Sequence, residues 1–376
     1  MSEGTKRINV FTPINSLGYG IAGKNTTGWL TKLLHKRDQD ESGTSWVDHE
    51  YGGVTLFPIG NQITCETEGE HNFFTQLAQN QLSFDADAPC LKIWHENAMA
   101  ERIGRGKLTG YSFFEMDRFE DSTKNSILST DNMVVASEWA KEIVEDQTGH
   151  ENVFVVPLGV DEVVFSQRQE QQTDKFIVFN CGKWEKRKGH DILLSIFNKA
   201  FPEEQDVELW MMCENPFSSQ EETIQWEAHY KQDSRCRLIK RVATQLELAN
   251  IMAMSSCGIF PSRAEGWNLE ALEMMSLGKP VILTDYSAHQ QFCNIDNSIL
   301  VKPNKTELAV DGKFFKGTGD WASLNDKVDE FADGLRSVYD KWKKGDSLVN
   351  QAGIETAKEL SWENTAKKLL EIIANE

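Results

Sequence analysis

Two glutamates frame the stretch of this chain best suited to chemistry. Glu265 and Glu273 stand with seven residues between them in Pro261-Ser-Arg-Ala-Glu-Gly-Trp-Asn-Leu-Glu-Ala-Leu-Glu-Met-Met-Ser-Leu-Gly278. The apolar run Cys257 to Phe260 reads as the end of a buried strand, and Ser262 to Gly266 as a tight polar turn. Helix formers run from about Asn268 to Leu277 until Gly278 stops them, and a second strand follows over Pro280 to Leu283. That order puts a helix N-terminus at the mouth of a parallel sheet, where unpaired N–H groups and the helix dipole favour an anion. Both carboxylates would repel phosphate, but carboxylates accept hydrogen bonds from hydroxyls. The pair therefore suits a ligand with a diphosphate in the middle and a sugar at each end.

A cluster of cations answers the glutamates. Cys181-Gly-Lys183-Trp-Glu-Lys186-Arg187-Lys188-Gly-His-Asp191 follows a strand, Phe176 to Phe179, and opens a helix over His190 to Ala200. Its ammonium groups belong at the same sheet edge, where they would offset the charge of a departing diphosphate. Lys186 and Arg187 are expected at the surface.

The first pattern resembles the E-x7-E motif of retaining GT-B-fold glycosyltransferases, specifically glycosyltransferase family 4 (glycosyl transferases group 1). Glu265, Gly266, Leu269, Leu272, Glu273, Gly278 and Pro280 follow that family's pattern; Trp267 replaces Phe, Asn268 replaces Gly and Glu270 replaces Pro. The second cluster is similar to the family's Gly-Arg-x-x-x-x-Lys-Gly, which carries diphosphate contact over to Lys183 and Lys188. Lys in place of Arg at 183 keeps the charge and loses the bidentate fork. Val156-Pro-Leu-Gly159-Val-Asp161 resembles a third family segment whose role is structural.

The resemblance implies a metal-independent, cofactor-free enzyme that transfers a hexose, with retention, from a UDP- or GDP-sugar to an acceptor hydroxyl. It places Glu265, Lys188, Lys183 and His95 in the catalytic set. Gly18, Gly20, Lys183, Lys188, Glu265, Gly266, Trp267, Asn268, Leu269 and Glu273 form the donor set. Glu265 would meet the transferred sugar and Glu273 the nucleotide ribose, with Asn268 and Leu269 offering backbone N–H groups to the diphosphate. The departing phosphate would deprotonate the acceptor. His95, directly after the strand Leu91 to Trp94, would face the donor sugar, and Asp117 is an acceptor-side candidate.

Other patterns admit other readings. Gly18-Tyr-Gly20-Ile-Ala-Gly23 spells the dinucleotide fingerprint, but Thr12 to Leu17 separate it from the first strand, Ile8 to Phe11. Asp38 and Asp40, near the ribose-binding distance, lie in a charged run. An NAD-dependent nucleotide-sugar oxidoreductase is thus the rival enzyme, and a turnover-dead sugar- or nucleotide-binding GT-B protein the rival outside enzymes. A flexible glycine loop beside the donor phosphates fits the run better. Asp85-Ala-Asp87 spells a metal motif but reads as a solvated loop, so no metal is expected. Trp184 and Trp267 are candidates for stacking on sugar.

The elements that must position these residues alternate strand and helix through 376 residues, a length that favours two domains. The expected architecture is α/β: a Rossmann-like acceptor-side domain over 1–170 and a Rossmann-like nucleotide-sugar domain over 171–355, the ligand lying in the cleft between them. A helix over 356–376 would cross back to the first domain. The Gln-rich stretch Ser166 to Asp174 reads as the linker, and Trp362 to Glu376 as an amphipathic helix. Net charge is −19, and residues 1–160 alone hold 13 basic against 23 acidic side chains. Broad electrostatic binding to nucleic acid or anionic lipid is therefore disfavoured, and a saccharide or other soluble hydroxyl compound is the expected acceptor. Seven scattered cysteines without C-x-x-C spacing, and no apolar leader, point to a cytoplasmic protein.

Overall fold

The computed structural model describes residues 6–36, 51–168 and 173–374; Asp38, Asp40 and part of the Gln-rich stretch lie outside them. The chain divides into two compact units. The first comprises Met1–Phe114, Phe119–Gly159 and Leu360–Glu376, the second Glu115–Arg118 and Val160–Glu359. The main divide thus falls at Gly159, upstream of the Gln-rich stretch.

In the first unit, β1 (Lys6–Ile14), β2 (Tyr51–Ile63), β3 (Cys90–Ile93), β4 (Leu108–Ser112), β5 (Asn132–Val135) and β6 (Val153–Val155) form one parallel sheet in the order β2-β1-β3-β4-β5-β6. Helices α1 (Gly18–Lys36), α2 (Glu68–Gln79), α3 (Asp121–Ile127) and α4 (Glu138–Thr148) connect the strands. Apolar runs such as Cys90–Ile93 are buried along their whole length, as a strand covered on both faces requires.

The second unit repeats the scheme with β7 (Phe176–Gly182), β8 (Val207–Cys213), β9 (Cys236–Leu238), β10 (Cys257–Phe260), β11 (Val281–Thr284) and β12 (Ile299–Val301), ordered β12-β11-β10-β7-β8-β9. Its helices are α5 (His190–Ala200), α6 (Gln220–Tyr230), α7 (Gln245–Met254), α8 (Leu269–Ser276), α9 (Val328–Lys344) and α10 (Gln351–Glu359). A separate antiparallel hairpin, β13 (Thr306–Val310) with β14 (Lys316–Ala322), follows the sheet. Strand order reverses between β1 and β3 in one sheet and between β7 and β10 in the other. Loops leaving such a pair diverge, and the crevice they open is where doubly wound sheets bind ligands.

The last helix, α11 (Trp362–Ala374), belongs to the first unit and packs on α1, burying Leu369, Leu370 and Ile373. Gly159 explains the Pro-x-Gly-Val-Asp segment: a Cβ there would lie 2.1 Å from the Trp362 nitrogen, so only glycine lets the returning chain close in. Thr365 Oγ1 donates to the Pro157 carbonyl at 2.8 Å beside it.

Candidate active site

The deciding loops leave adjacent strands. β7 and β10 pair in parallel, so residues 183–189 and 261–268 emerge at one edge of the sheet. Gly189 welds them. It sits at φ +74, and a Cβ there would fall 2.0 Å from the Pro261 carbonyl oxygen. The Arg263 N–H donates to the Arg187 carbonyl at 2.6 Å, fixing one loop's register on the other.

An ion cluster fills this junction. Glu265, only 4% exposed, places Oε2 2.7 Å from Arg187 Nη1 and Oε1 3.0 Å from Lys188 Nζ. Arg187 is 3% exposed, which corrects the expectation of a surface residue. Its other terminal nitrogen binds Glu185 at 2.8 Å and stands 3.7 Å from Glu115, and Nη1 also donates to the Ala264 carbonyl at 2.8 Å. Lys183 pairs with Glu185 at 3.0 Å, and Lys188 lies 3.8 Å from Glu270. A guanidinium stays ionised when buried if carboxylates surround it, and here three do.

The charges follow from these neighbours. Burial opposes ionisation of Glu265, yet Arg187 and Lys188 outweigh it and hold its carboxyl well below the usual carboxylate range. Burial likewise opposes the charge on Lys188, but Glu265 and Glu270 prevail and raise it above an ordinary lysine. Glu273 is the exception. Burial, with Glu270 one turn before it, pushes its carboxyl well up.

Asn268 starts α8 from a left-handed backbone, φ +85, that residues other than glycine rarely adopt. Its Oδ1 accepts the Ala271 N–H at 3.1 Å, and its amide nitrogen meets His289 Nε2 at 2.8 Å. His289 Nδ1 faces the Thr284 carbonyl at 2.8 Å and must donate to it, so Nε2 is left to accept from Asn268. The ring is thereby neutral, in line with burial holding its pKa down. Ser287, itself at φ +54, accepts the Glu265 N–H at 2.9 Å.

The structure thus gathers Lys183, Lys188, Glu265, Gly266, Trp267, Asn268, Leu269 and Glu273 around one switch point. Gly18, Gly20 and His95 stand at the switch point of the first sheet. The glycine run is not a loop. Gly18 opens α1, and β1 extends to Ile14, so only Asn15 to Leu17 intervene. A Cβ on Gly20 would lie 2.1 Å from Asn15 Oδ1, and one on Gly23 2.2 Å from Thr12 Oγ1. Gly23 lets α1 pack closely on the end of β1, and Gly20 lets it fold back on the turn at Asn15. His95 is exposed, its ring 4.6 Å from Tyr19 and 4.8 Å from Trp94.

The structure also bears on the tryptophans, Asp117 and the D-x-D segment. Trp184 is buried and stacks on Trp226 at 5.7 Å, and Trp267 is buried against Phe292 at 4.8 Å. Neither is a free platform for a sugar. What Trp267 retains for a ligand is its backbone and Nε1, which finds no acceptor among the described residues. Asp117 is a structural pin whose Oδ1 accepts the Asp320 N–H at 2.7 Å. In the D-x-D segment, Asp85 caps the Asp87 N–H at 2.9 Å and Asp87 is taken by Arg105.

Sequence reasoning missed Arg187, Glu185, Glu115, Ser287 and His289. The missed signal was the position of Arg187 and Glu185 within the cationic loop itself.

Residues 175–311 match the family model described as glycosyl transferases group 1. The chain carries a group 1 glycosyltransferase domain. No curated protein matches its sequence. Among solved structures, Anabaena Alr3699/HepE in complex with UDP and glucose is similar at 13% identity, covering 97% of this chain and 98% of that one, TM-score 0.66. Sucrose-phosphate synthase from Thermosynechococcus elongatus matches at 14% identity over 97% and 98%, TM-score 0.66. S. aureus TarM, in complex with fondaparinux, alpha-GlcNAc-glycerol and UDP, matches at 14% identity over 77% of this chain, TM-score 0.57. The chain spans 55% and 56% of the length of two TarM structures. At these identities the likeness establishes the fold, which is GT-B, and the family match covers residues 175–311 of the second unit. Among the described residues no helix is long and apolar enough to cross a membrane.

Proposed function

We propose that this glycosyltransferase moves a hexose from a UDP- or GDP-sugar to an acceptor hydroxyl, with retention and without a divalent metal. The observation that carries the reading is the charge pattern at the β7–β10 switch point. One buried carboxylate, Glu265, is held ionised between two cations beside the start of α8. An ionised, fixed carboxylate is a strong acceptor for a sugar hydroxyl. Lys188 and Lys183 are then the charges that receive the diphosphate and stabilise it as it leaves, the task a metal performs elsewhere. Glu273, buried and with no cation paired to it among the described residues, suits the neutral diol of a ribose. Backbone N–H groups of Gly266, Trp267, Asn268 and Leu269 complete the donor set. Glu265 is ionised but paired with two cations, which leaves it a poor nucleophile. This favours front-face displacement, with the departing phosphate taking the acceptor proton.

UDP in the HepE and TarM complexes supports a nucleotide-sugar donor, and the saccharide in the TarM complex supports a saccharide acceptor. Seven free cysteines fit a reducing cytoplasm.

A thermal-shift panel with UDP, GDP, ADP and NAD tests the reading. A ligand at a hundred times its dissociation constant adds roughly 2.7 kcal/mol, enough for a clear shift. UDP or GDP alone should raise Tm. A shift with NAD alone would replace the transferase by the oxidoreductase, and no shift at all would favour the turnover-dead protein.

A further inference from the structure

Arg187 lies outside the resemblance, which takes Lys183 and Lys188 as the diphosphate cations. Yet it is the more deeply placed group. Its guanidinium is fixed at four points: the Glu265 carboxylate at 2.7 Å, the Ala264 carbonyl at 2.8 Å, Glu185 at 2.8 Å and, more distantly, Glu115 at 3.7 Å. Its own carbonyl accepts the Arg263 N–H. A planar fork held this way cannot follow a ligand, so it cannot be a mobile phosphate clamp. It can only fix what it holds.

We propose that Arg187 is a positioning residue for Glu265, locking that carboxylate's rotamer and charge so that its remaining oxygen edge meets a donor-sugar hydroxyl. Lys188 shares Glu265 and also approaches Glu270, so it is free to turn towards an incoming diphosphate while Arg187 keeps Glu265 in place. Glu185 ties the same fork to Lys183, so that lysine and the sugar-side carboxylate are joined through one guanidinium. The inference rests on the reading that Glu265 meets the transferred sugar.

The charged and titratable groups facing Glu265 are Arg187 and Lys188 from the cationic loop with Glu185 behind them, Glu115, and His289 from the turn after β11; Ser262 and Ser287 add hydroxyls. Of these, Arg187 and Lys188 are the cations that keep Glu265 ionised. Weakening the first lets its carboxyl titrate at higher pH.

The test compares R187K, the charge-neutral pair E185Q/R187Q, E265Q and R187K/E265Q, each with UDP-sugar turnover across pH and UDP affinity by calorimetry. R187K should lower kcat roughly 10- to 100-fold, as small misplacements of a reacting group do, while UDP affinity stays within about threefold. The acid limb of its pH profile should move up. E185Q/R187Q, which leaves no uncompensated charge from this pair, should show the same loss and keeps the test open if R187K folds poorly. R187K/E265Q should be no worse than E265Q alone. If E265Q loses turnover while both Arg187 variants keep wild-type kcat and pH profile, positioning is overturned and the transferase reading stands. If E265Q itself turns over normally, the assignment of Glu265 fails, and this inference with it.

Discussion

A Cβ on Gly189 would stand 2.0 Å from the carbonyl oxygen of Pro261. The two loops that carry the cations and the glutamate therefore meet at a point where no side chain fits. The same residue needs φ +74 and precedes α5, so glycine is demanded twice over. Gly189→Ala must push the loops apart or strain the backbone, and should cost at least about 2 kcal/mol. Urea unfolding checks this. The variant should also lose turnover beyond its loss of folded fraction, because Arg187 and Lys188 precede the weld and Glu265 follows it.

Glu265→Gln keeps shape and removes charge. Arg187 and Lys188 then lack their shared counter-ion, and breaking one side of a buried pair costs roughly 3–5 kcal/mol. The folded carboxyl titrates below its unfolded value near ~4.3, so its contribution is present above that value and lost as pH falls through the folded one. Wild type and variant should therefore differ most at neutral pH and converge in strong acid, as urea midpoints across pH will record. Turnover should fall by about 100-fold or more, the scale of a lost transition-state contact, with UDP affinity near wild type. Equal turnover would show that Glu265 does not meet the transferred sugar.

Glu273 predicts the opposite sign. Its folded carboxyl titrates above the unfolded value because burial and Glu270 oppose the charge. Between the two values the unfolded chain has released the proton and the folded one has not, so stability falls as pH rises. Glu273→Gln removes this penalty. The variant should match wild type near pH 3 and exceed it at pH 7 in thermal unfolding, while binding UDP more weakly through loss of the ribose contact. A variant less stable at both values would mean that Glu273 is held by partners the ionised form needs.

Much of this was legible in the residues, and the limits have physical causes. Helix α5 matches the helical pattern read for His190–Ala200, because its apolar spacing and end signals agree. The hairpin Thr306 to Ala322 was not foreseen. Its glycines and lysines resemble a loop, and it is held by Trp321, fully buried, and by the Arg263–Glu307 pair at 3.0 Å. Arg187 was misplaced because a charged side chain is exposed by default. What reverses the default is Glu115 and Glu265, both far off in the chain, and only folding brings them to the guanidinium. The glutamates and lysines of the site, by contrast, sit inside local patterns that name their own sheet edge.

The two lysines should prove unequal. Lys188 has a side chain 9% exposed and shares Glu265, whereas Lys183 is 36% exposed, pairs with Glu185 and lies 5.7 Å from the exposed ring of Phe217. A charge in the drier position interacts more strongly with a phosphate because less water screens it. Lys188→Met should therefore lower kcat/KM by roughly 100- to 1,000-fold, and Lys183→Met by about tenfold. Raising salt should weaken the contribution of Lys183 more than that of Lys188. Steady-state kinetics of both variants at low and high ionic strength measure the difference. Equal losses at both positions would mean that the diphosphate is shared evenly between the two ammonium groups, despite their different burial.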